Sequence, residues 1–242
     1  GGFHLVSVLY HAGATALIVR FCRGLYGGWV ALFAGLLFAV HPVHVEAVTA
    51  IANRTEILAT ALCLIALCIQ AGPTRDRARS VLLQNGLLFL ALLCKESALT
   101  LPFLCFAVDW LRPSGRLRFG GLLRLLPAVA AYLWLKLAVI GIAGFAETDG
   151  YFYGATTIER VLSVSALMWR YVLMLFWPVN LSASYEQAFI ETPFNGAVIL
   201  GAVSVLLVAV VILRGQRSDT PTALGLALLA AGMAPYLHLH SM

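Results

Sequence analysis

Charged residues are scarce in this chain. Only 11% of its 242 residues are Asp, Glu, Lys or Arg, whereas soluble domains carry about a quarter. Hydrophobic residues make up 61%, and the mean hydropathy is +0.91. A water-soluble fold of this length cannot bury so much apolar surface, so lipid must form part of its solvent. The composition excludes a cytosolic enzyme, a disordered tail and a secreted disulfide module, and it predicts an integral membrane protein.

The sequence signatures of several enzyme classes are also missing. There is no Walker loop, no dinucleotide-binding glycine fingerprint and no nucleophile elbow. The five cysteines form no Cys-x-x-Cys pair and lie within or beside apolar segments, where thiols behave as small hydrophobes. We therefore expect no nucleotide-binding device and no resident cofactor, and the cysteines carry no information about redox or metal chemistry.

Apolar runs fill the chain from end to end. A helix needs about 20 apolar residues to cross the hydrocarbon core of a bilayer. Gly, Pro and charged residues divide the sequence into these runs: Phe3–Val19, Leu25–Val40, Thr55–Ala71, Val81–Cys94, Leu99–Leu111, Leu122–Phe145, Val161–Trp177, Phe194–Leu213 and Ala223–Leu237. The predicted fold is therefore all-α, a polytopic helical membrane protein with residues 1–242 forming a single transmembrane domain.

Basic residues predict how these helices are oriented. Eleven of the sixteen basic residues fall in four clusters, namely Arg20 and Arg23; Arg75, Arg77 and Arg79; Arg112, Arg116, Arg118 and Arg124; Arg214 and Arg217. The positive-inside rule places all four clusters in the cytoplasm. Short clusters between apolar runs are typical of membrane loops, so we expect no nucleic-acid partner. Loops 41–54, 95–97 and 145–160 then face outward.

This orientation leaves one run without room to cross the membrane. Leu122–Phe145 ends outside and Phe194–Leu213 begins there, so Val161–Trp177 between them cannot also span. Arg170, in the middle of that run, favours an interfacial or re-entrant helix. The prediction is about eight spanning helices plus this one. The alternative is that Val161–Trp177 spans and the last arginine cluster faces outward.

One group of polar residues lies in the first long outward loop. His41, His44, Glu46 and Arg54 surround the start of a helix, and ionisable groups at membrane depth are functional by default. We expect the two histidines and Arg54 to bind substrate and Glu46 to be the candidate catalytic carboxylate. The alternative is an interfacial loop whose charges pair with one another, such as Glu46 with Arg54. A zinc site is disfavoured because the sequence places no third histidine nearby.

A second group, Lys95 and Glu96, separates apolar runs of 14 and 13 residues. Each run reaches only about 20 Å, less than a hydrocarbon core of about 30 Å. The pair is therefore predicted to lie in a recess below the outer surface, where a lysine can hold a phosphate as a point charge. The alternative is a mutual ion pair that closes a helical hairpin. Lys136 lies in the middle of a predicted span, where snorkelling is the alternative to a role in the site.

The remaining candidates lie further along the chain. Arg170 has no acidic residue beside it in the sequence, and Tyr185 follows it across a Trp-Pro segment. Both are predicted to contribute to substrate binding. Trp and Tyr at a membrane boundary are also frequent interfacial anchors, which is the preferred interpretation of Trp177.

Several blocks of the sequence carry a resemblance to a known family. His41-Pro42-Val43-His44-Val45-Glu46, Lys95-Glu96-Ser97 and Trp177-Pro178-Val179-Asn180-Leu181 are similar to the membrane region of the TMTC-type (transmembrane and tetratricopeptide repeat) O-mannosyltransferases and their bacterial relatives. The resemblance implies a GT-C glycosyltransferase fold. Such enzymes move a sugar from a polyprenyl-phosphate donor to an acceptor on the non-cytoplasmic face of the bacterial inner membrane or the endoplasmic reticulum membrane.

The resemblance also implies roles for particular residues. Lys95 and Arg170 would hold the donor phosphate, while His44 and Glu46 would shape the site. The family's first helix and catalytic loop would precede Gly1 and its repeats would follow Met242, so we expect the chain to be a fragment. Its expected partners are the bilayer, the lipid-linked sugar, and a protein acceptor or other membrane subunits.

Two other classes of function compete with the enzyme. A non-catalytic scaffold subunit of a larger membrane complex would keep the same helices without the flanking regions. A transporter would need paired discontinuous helices in two halves of the chain. No internal repeat is visible in the sequence, so the scaffold is the stronger alternative.

Overall fold

The computed structural model describes residues 2–50, 53–72, 77–111, 120–140, 156–179, 181, 190–215 and 221–233. Its regular elements there are all helical, as the sequence predicts. They are α1 (Gly2–Tyr26), α2 (Gly28–Val40), a 3-10 turn (Pro42–His44), α3 (Val45–Thr49), α4 (Arg54–Ala71), α5 (Arg77–Cys94), a second 3-10 turn (Glu96–Thr100), α6 (Leu101–Trp110), α7 (Gly120–Leu123), α8 (Leu126–Ile140), α9 (Thr157–Phe176), α10 (Gly196–Gly215) and α11 (Pro221–Met233). The predicted all-α class is confirmed.

The chain forms two compact units, Gly1–Ala138 and Val139–Met242. In the first, α1 packs against α2 and α4, and α4 packs against α5. The turn between α1 and α2 depends on Gly27, whose φ of 87° lies in the left-handed region that side chains with a Cβ avoid. This single residue lets the chain reverse direction, so α2 returns along α1.

The core of the first unit lies among α5, α6 and the start of α8. Leu88, Leu92, Leu101, Val108 and Leu125 are its large, fully buried apolar side chains. Elsewhere on the surface large apolar groups are common. Exposed large apolar side chains are expected where lipid surrounds the protein.

Five described helical segments are long and apolar enough to cross a membrane: Gly2–Tyr26, Arg54–Ala71, Arg77–Cys94, Gly120–Val139 and Gly196–Arg214. A sixth results if Gly28–Val40 and Pro42–Thr49, which are bent by 51° at the break between them, count as one broken span. The predicted integral membrane class is confirmed. The runs predicted around α6 and α11 form helices of 10 and 13 residues, shorter than the usual minimum of about 17.

One helix differs from its predicted length in a way that affects the site. Helix α5 has 18 residues because it includes a polar first turn, beginning at Arg77, ahead of the apolar run that starts at Val81. At about 1.5 Å per residue it rises about 27 Å, so the expectation of a short run before Lys95 was wrong. After Lys95 the chain forms the five-residue 3-10 turn and then the ten-residue α6.

In the second unit α9 packs against α10. The helices approach closely where a Cβ on Gly201 would overlap the backbone carbonyl of Ser165. Helix α9 begins with a capping box in which the side chains of Thr156 and Glu159 each bond the other's backbone. Although it has 20 residues, α9 is not among the five apolar segments. Its predicted interfacial placement stays a prediction.

Candidate functional site

Helices of the first unit alternate in direction, so residues distant in the sequence meet at its two ends. We call one the lysine end, where Lys95 follows α5 and contacts the start of α4, and where Lys136 near the end of α8 contacts Glu96. We call the other the arginine end, where Arg20 bonds Cys68 and Arg124 bonds Gln70. This grouping agrees with the alternation that the positive-inside rule predicts.

Lys95 forms an ion pair with a residue that the sequence analysis did not select. Its Nζ lies 2.9 Å from Oε1 of Glu56, in the first turn of α4. The hydroxyl of Ser97 donates to the other carboxylate oxygen, Oε2, over 3.3 Å. The side chain of Lys95 is 45% exposed and that of Glu56 is 25% exposed. Lys95 is therefore the more exposed side chain of the pair.

Glu96 has different partners, on α8. Its Oε1 lies 2.5 Å from Lys136 Nζ and accepts a 3.3 Å hydrogen bond from the hydroxyl of Tyr132. The backbone at Lys95 is extended (φ −157°, ψ 137°), and successive side chains of an extended chain point to opposite sides. The two neighbours accordingly reach different helices, so the alternative of a mutual Lys95–Glu96 pair was wrong.

The second pair has the reverse accessibility. Lys136 is 17% exposed and Glu96 is 60% exposed. Lys136 is thus largely shielded and bound to a carboxylate, and its snorkelling in a bilayer stays a prediction. The apolar run around Lys136 gave no indication of the carboxylate, because Glu96 lies forty residues earlier in the chain.

The predicted histidines lie together, with a third that was missed. The His44 ring centroid is 4.2 Å from that of Phe38, 5.4 Å from that of His11 and 6.2 Å from that of His41. His11 Nε2 lies 3.3 Å from the carbonyl of Ala39. The chain thus folds back on α1 after α2. In the described part of the chain no three His, Cys, Asp or Glu side chains are grouped as metal ligands would be.

Glu46 and Arg54 have separate partners. Glu46 Oε1 accepts a 3.1 Å hydrogen bond from Asn53 Nδ2. Arg54 donates to the carbonyl of Phe3 over 2.7 Å and to the hydroxyl of Ser7 over 3.1 Å. Arg54 therefore links the start of α4 to the start of α1. The exposed Glu46 carboxylate is bonded instead by Asn53, the residue that precedes α4.

The two remaining candidates are Arg170 and Tyr185. Arg170 lies on α9, in the second unit, and is half-buried. Tyr185 lies outside the described residues. A shared role for Lys95 and Arg170 at one phosphate stays a prediction, as do the roles of His41, His44 and Glu46 in binding and catalysis.

The arginine end holds a second polar network that the sequence analysis did not recognise. Gln70 donates to Asp109 and accepts from Arg124, whose guanidinium lies 3.9 Å from the Asp109 carboxylate. Gln84, which is 1% exposed, donates to Gln70 over 3.2 Å. Asn85 donates to the carbonyl of Arg124 over 2.8 Å. These contacts join α4, α5, α6 and the turn between α7 and α8.

Comparisons with known proteins agree with the predicted resemblance. The chain is 40% identical over 119 residues to the protein O-mannosyl-transferase Tmtc2 of Drosophila melanogaster, covering 46% of this chain and 13% of that protein. It is 29% identical over 199 residues to a protein O-mannosyl-transferase of Caenorhabditis elegans, covering 79% of this chain and 28% of that protein. With mouse TMTC3 it shares 33% identity over 107 residues, covering 43% of this chain and 12% of that protein.

These matches confirm the resemblance to the TMTC-type O-mannosyltransferases. The chain spans less than a third of the length of each of these relatives. No family model and no solved structure matches the chain.

Proposed function

We propose that this chain is part of a membrane glycosyltransferase that moves a mannosyl group from a polyprenyl-phosphate donor to a hydroxyl of a protein acceptor on the non-cytoplasmic face. The names of the similar proteins supply the sugar and the class of acceptor. The observation that carries the proposal for this chain is the half-exposed Lys95 side chain at the lysine end, opposite Arg20 and Arg124 in the first unit.

Lys95 would act on the leaving group of the reaction. In the transfer, the bond between the sugar's anomeric carbon and the phosphate oxygen breaks, and that carbon bonds to the acceptor oxygen. Negative charge develops on the departing lipid phosphate, so a fixed ammonium group stabilises the transition state more than the ground state. Lysine suits this task because it is a compact point charge with three donors.

The acceptor hydroxyl must lose its proton during the same reaction. A positioned carboxylate is the usual base for such a step. Within this chain Glu46 is the candidate, because it is exposed at the lysine end and its Oε1 is oriented by Asn53. His41 and His44, which line the adjoining bend after α2, would contact the sugar or the acceptor.

The test is the substitution Lys95→Ala in the protein as its full reading frame encodes it, assayed in membrane vesicles with radiolabelled polyprenyl-phosphate mannose. Losing a charged group that stabilises a leaving oxyanion costs about 10²- to 10³-fold in rate, so transfer to protein should fall by that order. Lys95→Arg should retain part of the activity because the positive charge remains.

Arg23→Ala is the matched control, because it removes an exposed cation in the last turn of α1, at the opposite end. Its transfer rate should equal that of the unmodified protein. Equal transfer by Lys95→Ala would remove Lys95 from the site. If the unmodified protein neither binds nor consumes the labelled donor, the chain is a scaffold subunit instead of part of an enzyme.

A further inference from the structure

We infer that Glu56 is the resting counterion of Lys95 and that the donor phosphate displaces it when the donor binds. The inference rests on the proposed function, because it takes Lys95 as a ligand of the phosphate. It assigns Glu56 as a positioning residue that sets donor affinity. Glu56 would act through Lys95, without touching the sugar.

The first support is the unequal accessibility of the two groups. Lys95 is 45% exposed while Glu56 is 25% exposed, so the lysine is the more accessible side chain of the two to an incoming anion. The flexible four-carbon stem of lysine lets Nζ leave Glu56 Oε1, now 2.9 Å away, without moving a helix. An exchange of anions on this lysine therefore requires only a side-chain rotation.

The second support is that Glu56 retains other stabilising interactions when Lys95 leaves. Its second oxygen accepts a hydrogen bond from Ser97. The residue lies in the first turn of α4, where the positive end of the helix dipole stabilises a carboxylate. Glu56 can thus stay ionised and in place after losing its ion pair, which makes the exchange reversible.

The other lysine–glutamate pair shows what a permanent pair looks like in the same chain. There the cation is the shielded member, since Lys136 is 17% exposed while Glu96 is 60% exposed. An incoming anion would meet the Glu96 carboxylate first and be repelled. Of these two described pairs, the one with Lys95 is built to release its cation to an anionic ligand.

The exchange predicts a particular kinetic signature for Glu56→Gln. The amide keeps the size of the side chain but no longer competes with phosphate for Lys95. The Michaelis constant for the donor should fall about twofold to fivefold, the factor that corresponds to one partly exposed ion pair, with kcat changed less than KM. A merely structural role would instead lower kcat and leave or raise KM.

The assay measures donor KM and kcat for Glu56→Gln and Lys95→Ala in the vesicles described above. Glu191→Gln is the matched control, because it removes an exposed carboxylate of the second unit by the same isosteric change. If Lys95→Ala leaves donor KM and kcat unchanged, the proposed function fails. If Lys95→Ala impairs transfer but Glu56→Gln leaves KM unchanged or raises it, only the counterion role is overturned.

A second variant keeps the inference testable if Glu56→Gln does not fold. Glu56→Asp retains the charge but withdraws the carboxylate from Lys95 by one methylene. Donor KM should then fall in the same direction by a smaller factor, below about twofold. An unchanged or higher KM would again overturn the counterion role.

Discussion

Replacing Asp109 by Asn should destabilise the first unit more than replacing Glu56 by Gln at the lysine end. Asp109 and Arg124 are 15% and 18% exposed, and their charged atoms lie 3.9 Å apart. Gln70 also donates to the Asp109 carboxylate. The substitution keeps the shape of the side chain but leaves the guanidinium of Arg124 mostly buried without its countercharge.

The size of the effect follows from distance and burial. Two unit charges at this separation interact by about 4 kcal/mol at an effective dielectric constant of about 20. Removing one partner of a buried pair costs about 3–5 kcal/mol. The residual exposure and the length of the contact reduce this, so we expect about 2 kcal/mol. Glu56, at 25% exposure beside a 45% exposed lysine, should contribute less than about 1 kcal/mol.

Thermal unfolding of the detergent-purified protein, followed by tryptophan fluorescence, measures the difference. A loss of about 2 kcal/mol lowers the melting temperature by about 4–8 °C in a protein of this size. The double variant Asp109→Asn with Arg124→Gln should recover part of that loss, because no uncompensated charge remains. An unchanged melting temperature in Asp109→Asn, or strict additivity in the double variant, would refute the electrostatic coupling.

Two further outcomes test the second unit. Gly201→Ala should destabilise the protein by about 1–3 kcal/mol and lower its melting temperature, because the added Cβ overlaps the backbone of Ser165. Gly225→Ala is the control, since open space surrounds Gly225, and it should leave the stability unchanged or raise it by up to about 1 kcal/mol through helix propensity. Equal effects of the two substitutions would contradict the close contact of α9 and α10. The backbone N–H and hydroxyl of Thr156 lower the pKa of Glu159, so its stabilisation of the start of α9 is present above the ordinary glutamate pKa and disappears as the pH falls through the lowered value. Glu159→Gln should therefore weaken this acid-dependent loss of helicity in circular dichroism, and an identical acid titration would count against the capping role.

The fold class was predictable because it depends on composition and on the length of apolar runs. Charge scarcity and the arginine clusters suffice to predict membrane helices of alternating direction. Helix boundaries were less predictable where polar residues continue a helix. Arg77 begins α5, in keeping with the good helix propensity of arginine, yet hydropathy alone starts the run at Val81.

The candidate site was predictable as a set of residues but not as a set of pairs. Lys95 and Glu96 stood out because charge is rare between apolar runs. Their partners did not, because Glu56 lies 39 positions before Lys95 and Lys136 lies 40 positions after Glu96. A single sequence does not show which residues so far apart come into contact. His11 was missed for the same reason, since only the reversal of the chain at Gly27 brings α1 beside His44.

The two polar groups of the first unit differ in burial and in how tightly their members are bonded to one another. At the arginine end, Gln70, Gln84 and Asp109 are mostly buried and bond to one another or to Arg124. A buried network of this kind is costly to disturb and has little access to a ligand. At the lysine end, the Lys95 side chain is half exposed and its carboxylate partner accepts a further hydrogen bond from Ser97. Substitutions at the first end should therefore change stability before activity, and substitutions at Lys95 and Glu56 should change donor affinity before stability.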